Sequence, residues 1–181
     1  MSWILTNSGQ RFDILEPHSA MVHPQDIAHS LAMQCRFNGH CGTFYSVAQH
    51  CIVVASLVPE EHKLAALLHD ATEAYIGDIV RPLKQAVPQL RQMEHHIWHA
   101  ICARFDIDPV LPSCIHDADM VALATERRDL MPENRDEWEC LAGTQPMQQF
   151  IRAWPVEEAR LRYWQDLQQR LATTHRTRAA A

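Results

Sequence analysis

The sequence predicts an all-α fold: one compact helical bundle with a small β-hairpin at its N-terminus. Apolar residues recur with a helical period along most of the chain from residue 26 onward. The 181 residues include only five glycines, which is few for a β-rich fold with many tight turns. The composition, 47% hydrophobic and 21% charged, is typical of a single domain with a sizeable core.

The N-terminal segment has apolar stretches on both sides of a turn. Residues 3–6 and 11–15 flank the turn sequence Asn7-Ser8-Gly9, which predicts a β-hairpin. From residue 26 the spacing of the apolar residues changes to the helical period. We therefore divide the chain into a hairpin with its lead-in (1–25), a helical domain (26–172) and a frayed tail (173–181).

Capping residues and prolines predict the helix boundaries. Asp26 is expected to cap the first helix, which ends near Arg36, and the glycine-containing stretch 37–45 is expected to be a loop. Ser46 opens a capping-box pattern for a second helix to about Val58. Further helices are predicted over 59–70, 82–87, 88–104, 114–130 and 155–171, with 71–76 either continuing its predecessor or forming a separate turn.

Charge and composition limit the partners of this chain. The formal charge is −6 and no long basic block is present, which argues against an extended nucleic-acid surface but leaves a small phosphorylated ligand possible. The first ten residues lack a signal pattern, and the longest apolar run, residues 51–58, is too short to span a membrane. The six cysteines contain no Cys-x-x-Cys pair. These features predict a reduced, cytoplasmic protein without a membrane partner.

Metal-ligating side chains occur on the apolar faces of three predicted helices. His50 lies on such a face, His69 and Asp70 end the apolar stripe of the next helix, and Asp119 lies on the apolar face of the helix over 114–130. A buried carboxylate needs a cation or hydrogen bonds. One shared divalent ion would satisfy all four groups, and two nitrogen and two oxygen ligands suit Mn, Co, Ni, Zn or Fe, with Mg possible. Taken singly, each histidine could also be an ordinary core residue.

The ordered set of ligands resembles the HD-domain phosphohydrolase superfamily, in particular its YfbR-type 5′-deoxynucleotidase branch, which includes virus-encoded enzymes that remove triphosphate from dATP. The segments that carry the resemblance are CRFNGH (35–40), FYSVAQH (44–50), ALLHDATEAYIGD (66–78), RPLK (81–84), DAD (117–119) and ATERRDL (124–130). The match covers about residues 26–131. It implies an HD-domain bundle and a metal-dependent hydrolase that cleaves the 5′-phosphate ester of (deoxy)nucleotides, either dNMP to phosphate or dNTP to triphosphate.

The resemblance also implies roles for individual residues beyond the four metal ligands. Glu73 matches the residue that orients or deprotonates the attacking water, and Asp78 matches an acid that binds substrate or relays a proton. Arg36 matches an arginine that contacts the substrate phosphate. Phe37 stands where bacterial 5′-deoxynucleotidases carry a tryptophan that crowds the 2′ position of the sugar. Lys84 is either a second phosphate contact or a solvated surface lysine.

The chain departs from the pattern of the nucleotidases at three places. Gln49 stands before His50 where the nucleotidases usually have Glu, and the separation of Arg36 from His50 differs by about one residue. Phe37 is a third departure. The Phe37 substitution and the changed separation bear on selectivity for deoxyribose, which they leave open, and not on the hydrolysis; the change at Gln49 lies beside a metal ligand.

Alternative functions are a hydrolase of another phosphoester, such as a cyclic dinucleotide or an alarmone, and a non-catalytic helical module stabilised by metal. The family tendency is towards homo-oligomers, which we carry over as an expectation by analogy.

One further histidine pair has a spacing that can bind metal. His95 and His99 lie one helical turn apart. The segment is not an H-E-x-x-H motif, because no Glu follows His95, and Trp98 is expected to be a core anchor. The sequence therefore favours a single metal ion.

Overall fold

The computed structural model describes the backbone of residues 1–179 and the side chains of residues 1–173. The structure is mostly helical and has a two-stranded antiparallel sheet at its N-terminus, which confirms the predicted all-α fold. The strands are β1 (Trp3–Leu5) and β2 (Arg11–Asp13). The helices are α1 (Pro24–Met33), α2 (Val47–Ser56), α3 (Lys63–Leu68), α4 (Glu73–Ile76), α5 (Arg81–Ala86), α6 (Pro88–Phe105), α7 (Ser113–Leu130) and α8 (Val156–Ala179).

The hairpin is attached to the helical bundle by an aromatic contact. Its register pairs Ile4 with Phe12, and Phe12 points inward and is fully buried. The Phe12 ring stacks on Tyr75 of α4, with ring centroids 3.7 Å apart and planes inclined by 12°. The hairpin is therefore part of the same packed unit as the helices.

The prediction that Asp26 caps the first helix is wrong. Helix α1 begins at Pro24, which suits a first helical position because its fixed φ is helical and its missing N–H needs no partner there. Asp26 lies in the first turn, and its carboxylate accepts hydrogen bonds of 2.7 Å from the backbone N–H and the hydroxyl of Ser8. Asp26 thus ties the hairpin turn to α1.

Other boundaries agree with the sequence to within a few residues, with two differences. Ser46 caps α2 as predicted, since its hydroxyl accepts a hydrogen bond of 3.1 Å from the Gln49 N–H. The helix predicted over 59–70 is instead a 3-10 turn, Glu60–His62, followed by α3, and α4 is a separate turn of helix. Helix α8 continues to Ala179, beyond the predicted end near Leu171. The last two residues of the predicted tail, 180–181, lie outside the described residues.

Helix α2 is central to the bundle and packs against α1, α3, α7 and α8. The core around it contains fully buried Ile27, Leu31, Leu67 and Leu167, each of which contributes about 1.5–3 kcal/mol through burial. Side chains on α2 are consequently held in fixed positions. Within residues 1–179, no helix combines the length and the apolar character needed to cross a membrane.

Candidate metal centre and active site

The four predicted metal ligands lie together where three segments meet. Helix α2 supplies His50, the end of α3 leads into His69 and Asp70, and α7 supplies Asp119. The Nε2 atom of His50 is 3.2 Å from Asp119 Oδ1 and 3.5 Å from Asp70 Oδ2. The Nε2 atom of His69 is 3.2 Å from the same Asp70 oxygen. Residues far apart in sequence therefore form one compact group of donors.

Both imidazoles are held so that Nε2 is free to bind a cation. His69 Nδ1 donates to the carbonyl oxygen of Ala66 at 2.7 Å, and His50 Nδ1 lies 2.6 Å from a carboxylate oxygen of Glu126. Neither Nε2 atom has a hydrogen-bond partner among the described residues, although both are buried. Ligating histidines use their second ring nitrogen in this way. His50, His69 and Asp119 could hold a metal ion, because their ligand atoms lie within 4.8 Å of one another.

The two aspartates have the charge that a cation requires. Burial alone would raise the pKa of Asp70, but in the metal-free protein the positive charges of protonated His69 and His50 outweigh it and hold that pKa below its usual value; a bound cation would take the place of those protons. The pKa of Asp119 is also lowered, since its interaction with His50 overcomes the effect of burial. Both side chains are therefore carboxylates at neutral pH.

A cysteine lies beside the centre. Cys51 forms a second possible group with His69 and Asp70. Burial raises the pKa of the Cys51 thiol to about 11, which keeps it protonated at neutral pH. Because the thiolate is the metal-binding form, Cys51 is a poorer ligand than the carboxylates.

Glu126 is a residue of the site that sequence reasoning missed. Its side chain is fully buried on α7, with one oxygen against His50 Nδ1 and the other 3.2 Å from both Nε and Nη2 of Arg36. Burial would raise its pKa, but the charges of Arg36 and His50 lower it below the ordinary value. The available signal was its position seven residues after Asp119, which places both carboxylates on one buried helix face.

Arg36 is held at the edge of the centre. Its side chain is only 11% exposed, and its Nη1 atom lies 3.6 Å from Asp70. Burial would lower the pKa of Arg36, yet Glu126 and Asp70 raise it above the usual value, so the guanidinium is always charged. Two carboxylates thus fix a cation beside the metal ligands.

A cavity of about 700 Å³ opens from these residues, a volume that suits a small-molecule ligand. Its lining combines polar or charged side chains with apolar and aromatic ones. We call the first set the charged wall and the second the apolar wall. The charged wall consists of Arg36, Asp70, Glu73, Asp78, Arg81, Lys84, His116 and Asp119; the apolar wall includes Phe37, Ile79, Val80, Pro82, Met120, Leu123 and Trp138.

The predicted catalytic acids both line this cavity. Glu73 is 4% exposed, and its Oε2 atom has no hydrogen-bond partner within the part of the chain that the structure describes. Burial raises the pKa of Glu73 well above its usual value, and the charges of Asp70 and Asp78 add to this, while Lys84 opposes it. The pKa of Asp78 is also raised by burial. A buried carboxyl group with a raised pKa is suited to proton transfer.

Lys84 is not the fully solvated lysine of the alternative interpretation. Its Nζ atom lies 2.6 Å from Glu94 Oε1 on α6 and 3.6 Å from Glu73 Oε1. The side chain is 19% exposed and faces the cavity. Its role as a phosphate contact stays a prediction.

Phe37 lines the cavity in a strained backbone conformation. Its φ is +55°, and Asn38 and Gly39 follow with φ of +53° and +79°. A bulky residue with positive φ is unusual and persists only where its surroundings hold it there. The Phe37 ring lies 6.3 Å from the ring of Trp138, centroid to centroid, and the planes are inclined by 56°. Trp138 lies in the irregular segment before α8. Apolar residues have no regular spacing there, so the sequence did not predict that Trp138 lines the cavity.

Comparison with known proteins places the chain in a family. No family model matches the chain. Over 150 residues, 83% of this chain and 84% of the other, it is 42% identical to the uncharacterized protein YfdR of Escherichia coli (strain K12). The chain belongs to the YfdR family. It is also 37% identical over 127 residues, 65% of each chain, to the uncharacterized protein RCAP_rcc00048 of Rhodobacter capsulatus.

In this YfdR-family member the structure gives Gln49 a distinct role. Its side-chain N–H donates to the Arg152 carbonyl at 2.8 Å, and its side-chain oxygen accepts from the Trp154 N–H at 2.8 Å. A glutamate could accept but not donate. Gln49 therefore attaches the segment before α8 to α2, next to His50, and both contacts together require an amide side chain.

Proposed function

We propose that this protein is an HD-type, metal-dependent phosphohydrolase that cleaves the 5′-phosphate ester of nucleotides, 2′-deoxynucleotides by resemblance. One observation carries the proposal. Among the described residues, the Nε2 atoms of His50 and His69 are buried without a hydrogen-bond partner, and each faces a carboxylate oxygen at 3.2 Å beside a cavity of about 700 Å³. Such atoms are costly to bury unless a hydrogen bond or a cation satisfies them.

The proposed ligands are His50, His69, Asp70 and Asp119. Two nitrogen and two oxygen donors suit Mn, Co, Ni, Zn or Fe, and Mg remains an option. When bound, the ion supplies Lewis acidity towards a phosphoryl oxygen and towards water.

The chain's own residues bind the phosphate and move the proton. The Arg36 guanidinium donates to phosphoryl oxygens, and the Lys84 ammonium adds a second positive charge at the same wall. Glu73 accepts a proton as water attacks phosphorus, and the bond from phosphorus to the 5′ oxygen breaks. That oxygen leaves with a proton from Asp78 or from Glu73, which gives a nucleoside and phosphate, or triphosphate if the substrate is a dNTP.

The apolar wall of the cavity favours a nucleotide over a small phosphoester. Phe37 and Trp138 offer aromatic surface next to the apolar side chains of Ile79 and Leu123. A purine or pyrimidine would bury planar surface against these groups, with its phosphate at the charged wall. If cyclic dinucleotides or alarmones bound more tightly than dAMP and dATP in a competition assay, one of them would be the substrate class instead.

The variant Glu73→Gln tests catalysis separately from metal binding. We expect it to keep the metal content of the wild type and to lose about 100-fold or more in hydrolysis rate, because a general base typically contributes about 10²–10⁴. Glu133→Gln, an exposed glutamate beyond α7, is the matched control. Unchanged hydrolysis by Glu73→Gln would remove the assigned role, and absence of hydrolysis in every metal-loaded wild-type sample would favour the non-catalytic module.

A further inference from the structure

Helix α6 presents a pair of exposed histidines outside the cavity. The Nε2 atoms of His95 and His99 are 3.1 Å apart, and their ring centroids are 4.3 Å apart in an edge-to-face arrangement. The i, i+4 spacing places both rings on one side of the helix. Two ring nitrogens therefore converge on one position at the surface.

We propose that His95 and His99 form an accessory chelate site for a first-row transition-metal ion, separate from the candidate centre. With metal–nitrogen bonds of about 2.0–2.1 Å, nitrogens 3.1 Å apart subtend about 95–102° at the ion. That angle lies between about 90° for adjacent octahedral positions and about 109° for tetrahedral positions. The two rings already have a spacing that a metal ion accepts.

This site has two protein ligands and is open to water. The groups of three or more metal-ligating side chains that the described residues form are both at the candidate centre, around His69. Water would fill the remaining positions at the histidine pair, so the site binds ions more weakly than the centre does. Imidazole ligands favour Cu²⁺, Ni²⁺ and Zn²⁺ over Mg²⁺, which binds oxygen.

The same pair of nitrogens also fits a hydrogen bond between the two rings, and that arrangement would give no metal site. Metal and proton compete for the same Nε2 positions, so metal titration separates the two possibilities. His96 provides the matched control, because it is an exposed histidine on the same helix and cannot share the chelate. Its ring centroid lies 6.3 Å from that of His95, and adjacent residues do not face one another on a helix.

The experiment titrates chelator-treated protein with Ni²⁺ at pH 7.5 and counts bound equivalents by calorimetry. We expect His99→Gln and His95→Gln each to bind one equivalent fewer than the wild type, or to bind it at least tenfold more weakly. His96→Gln should match the wild type. Equal numbers and affinities in the wild type and His99→Gln would overturn the proposal. The experiment compares Ni²⁺ binding by the wild type and by each variant. The comparison is therefore valid whether or not the candidate centre binds Ni²⁺ and whether or not the protein hydrolyses nucleotides.

Discussion

Replacing Glu126 with glutamine should uncouple the metal ligand His50 from its support. In the wild type, one Glu126 oxygen accepts from His50 Nδ1 at 2.6 Å and the other accepts from Arg36 at 3.2 Å. A glutamine has only one acceptor oxygen, so its NH₂ must face one of these donors. If it keeps the contact with Arg36, its NH₂ meets His50 Nδ1 and favours the tautomer with hydrogen on Nε2. That tautomer cannot bind a metal.

The magnitude follows from the contacts that are lost. A hydrogen bond to the second ring nitrogen of a ligating histidine typically contributes about 10–100-fold to metal affinity, or about 1.4–2.8 kcal/mol. Without metal, Arg36 loses the charge of a fully buried carboxylate, which we expect to lower the free energy of unfolding by about 2–3 kcal/mol. For a chain of this length the melting temperature should fall by about 5–10 °C.

The assay combines two measurements on Glu126→Gln. Calorimetry with Zn²⁺ or Mn²⁺ gives the affinity of the candidate centre, and thermal unfolding of the chelated protein gives the stability. Glu133→Gln makes the same chemical change at an exposed position and should alter neither. Wild-type metal affinity in Glu126→Gln would refute the idea that this carboxylate sets the tautomer of His50.

Three other perturbations have defined outcomes. Gln49→Glu should lower the free energy of unfolding by about 1–3 kcal/mol in chemical denaturation, because the Arg152 carbonyl loses its donor; equal stability would contradict this. Asp129 accepts a hydrogen bond of 2.8 Å from the Ile151 N–H; burial would raise the pKa of Asp129, but the hydrogen bonds from Arg128 and from the Ile151 N–H, together with the Arg128 charge, lower it. Asp129→Asn should therefore lower the free energy of unfolding by about 1 kcal/mol above about pH 5. The stability difference from the wild type should shrink as the pH falls below about 4 and the wild-type carboxylate takes up a proton; a stability difference independent of pH would argue against a role for the charge of Asp129. Trp138→Ala should raise KM for nucleotides about tenfold, with kcat reduced less, since stacking on an aromatic side chain is worth about 1–3 kcal/mol; an unchanged KM would place the base elsewhere.

Helical periodicity was sufficient for the fold and for placing His50 and Asp119 on apolar helix faces and Asp70 at the end of another. A ligand such as His50 lies on the apolar face of a helix, and the period of that face is local information. Ser46 was predictable for the same reason, since a capping box spans only four residues. The resemblance of the ordered ligands to a known family then suggested that they share one site.

The supporting contacts were not predictable, because each joins segments far apart in sequence. In the sequence, Glu126 is indistinguishable from the other charged residues of α7. Only the folded structure shows its contacts with Arg36 and His50. Asp26 has the sequence pattern of a cap, yet it binds the hairpin turn through Ser8. Trp138 lies in a segment without a period, so only the folded structure places it against the cavity.

Product analysis tests the central claim most directly. Chelator-treated protein is incubated with each dNMP and dNTP, with Mn²⁺, Co²⁺, Ni²⁺, Zn²⁺ or Mg²⁺ added back, and the products are separated by chromatography. The account predicts metal-dependent release of a deoxynucleoside, together with phosphate from a monophosphate or intact triphosphate from a dNTP. Hydrolysis that persists without metal, or no product with any ion, would contradict a metal-dependent nucleotide phosphohydrolase.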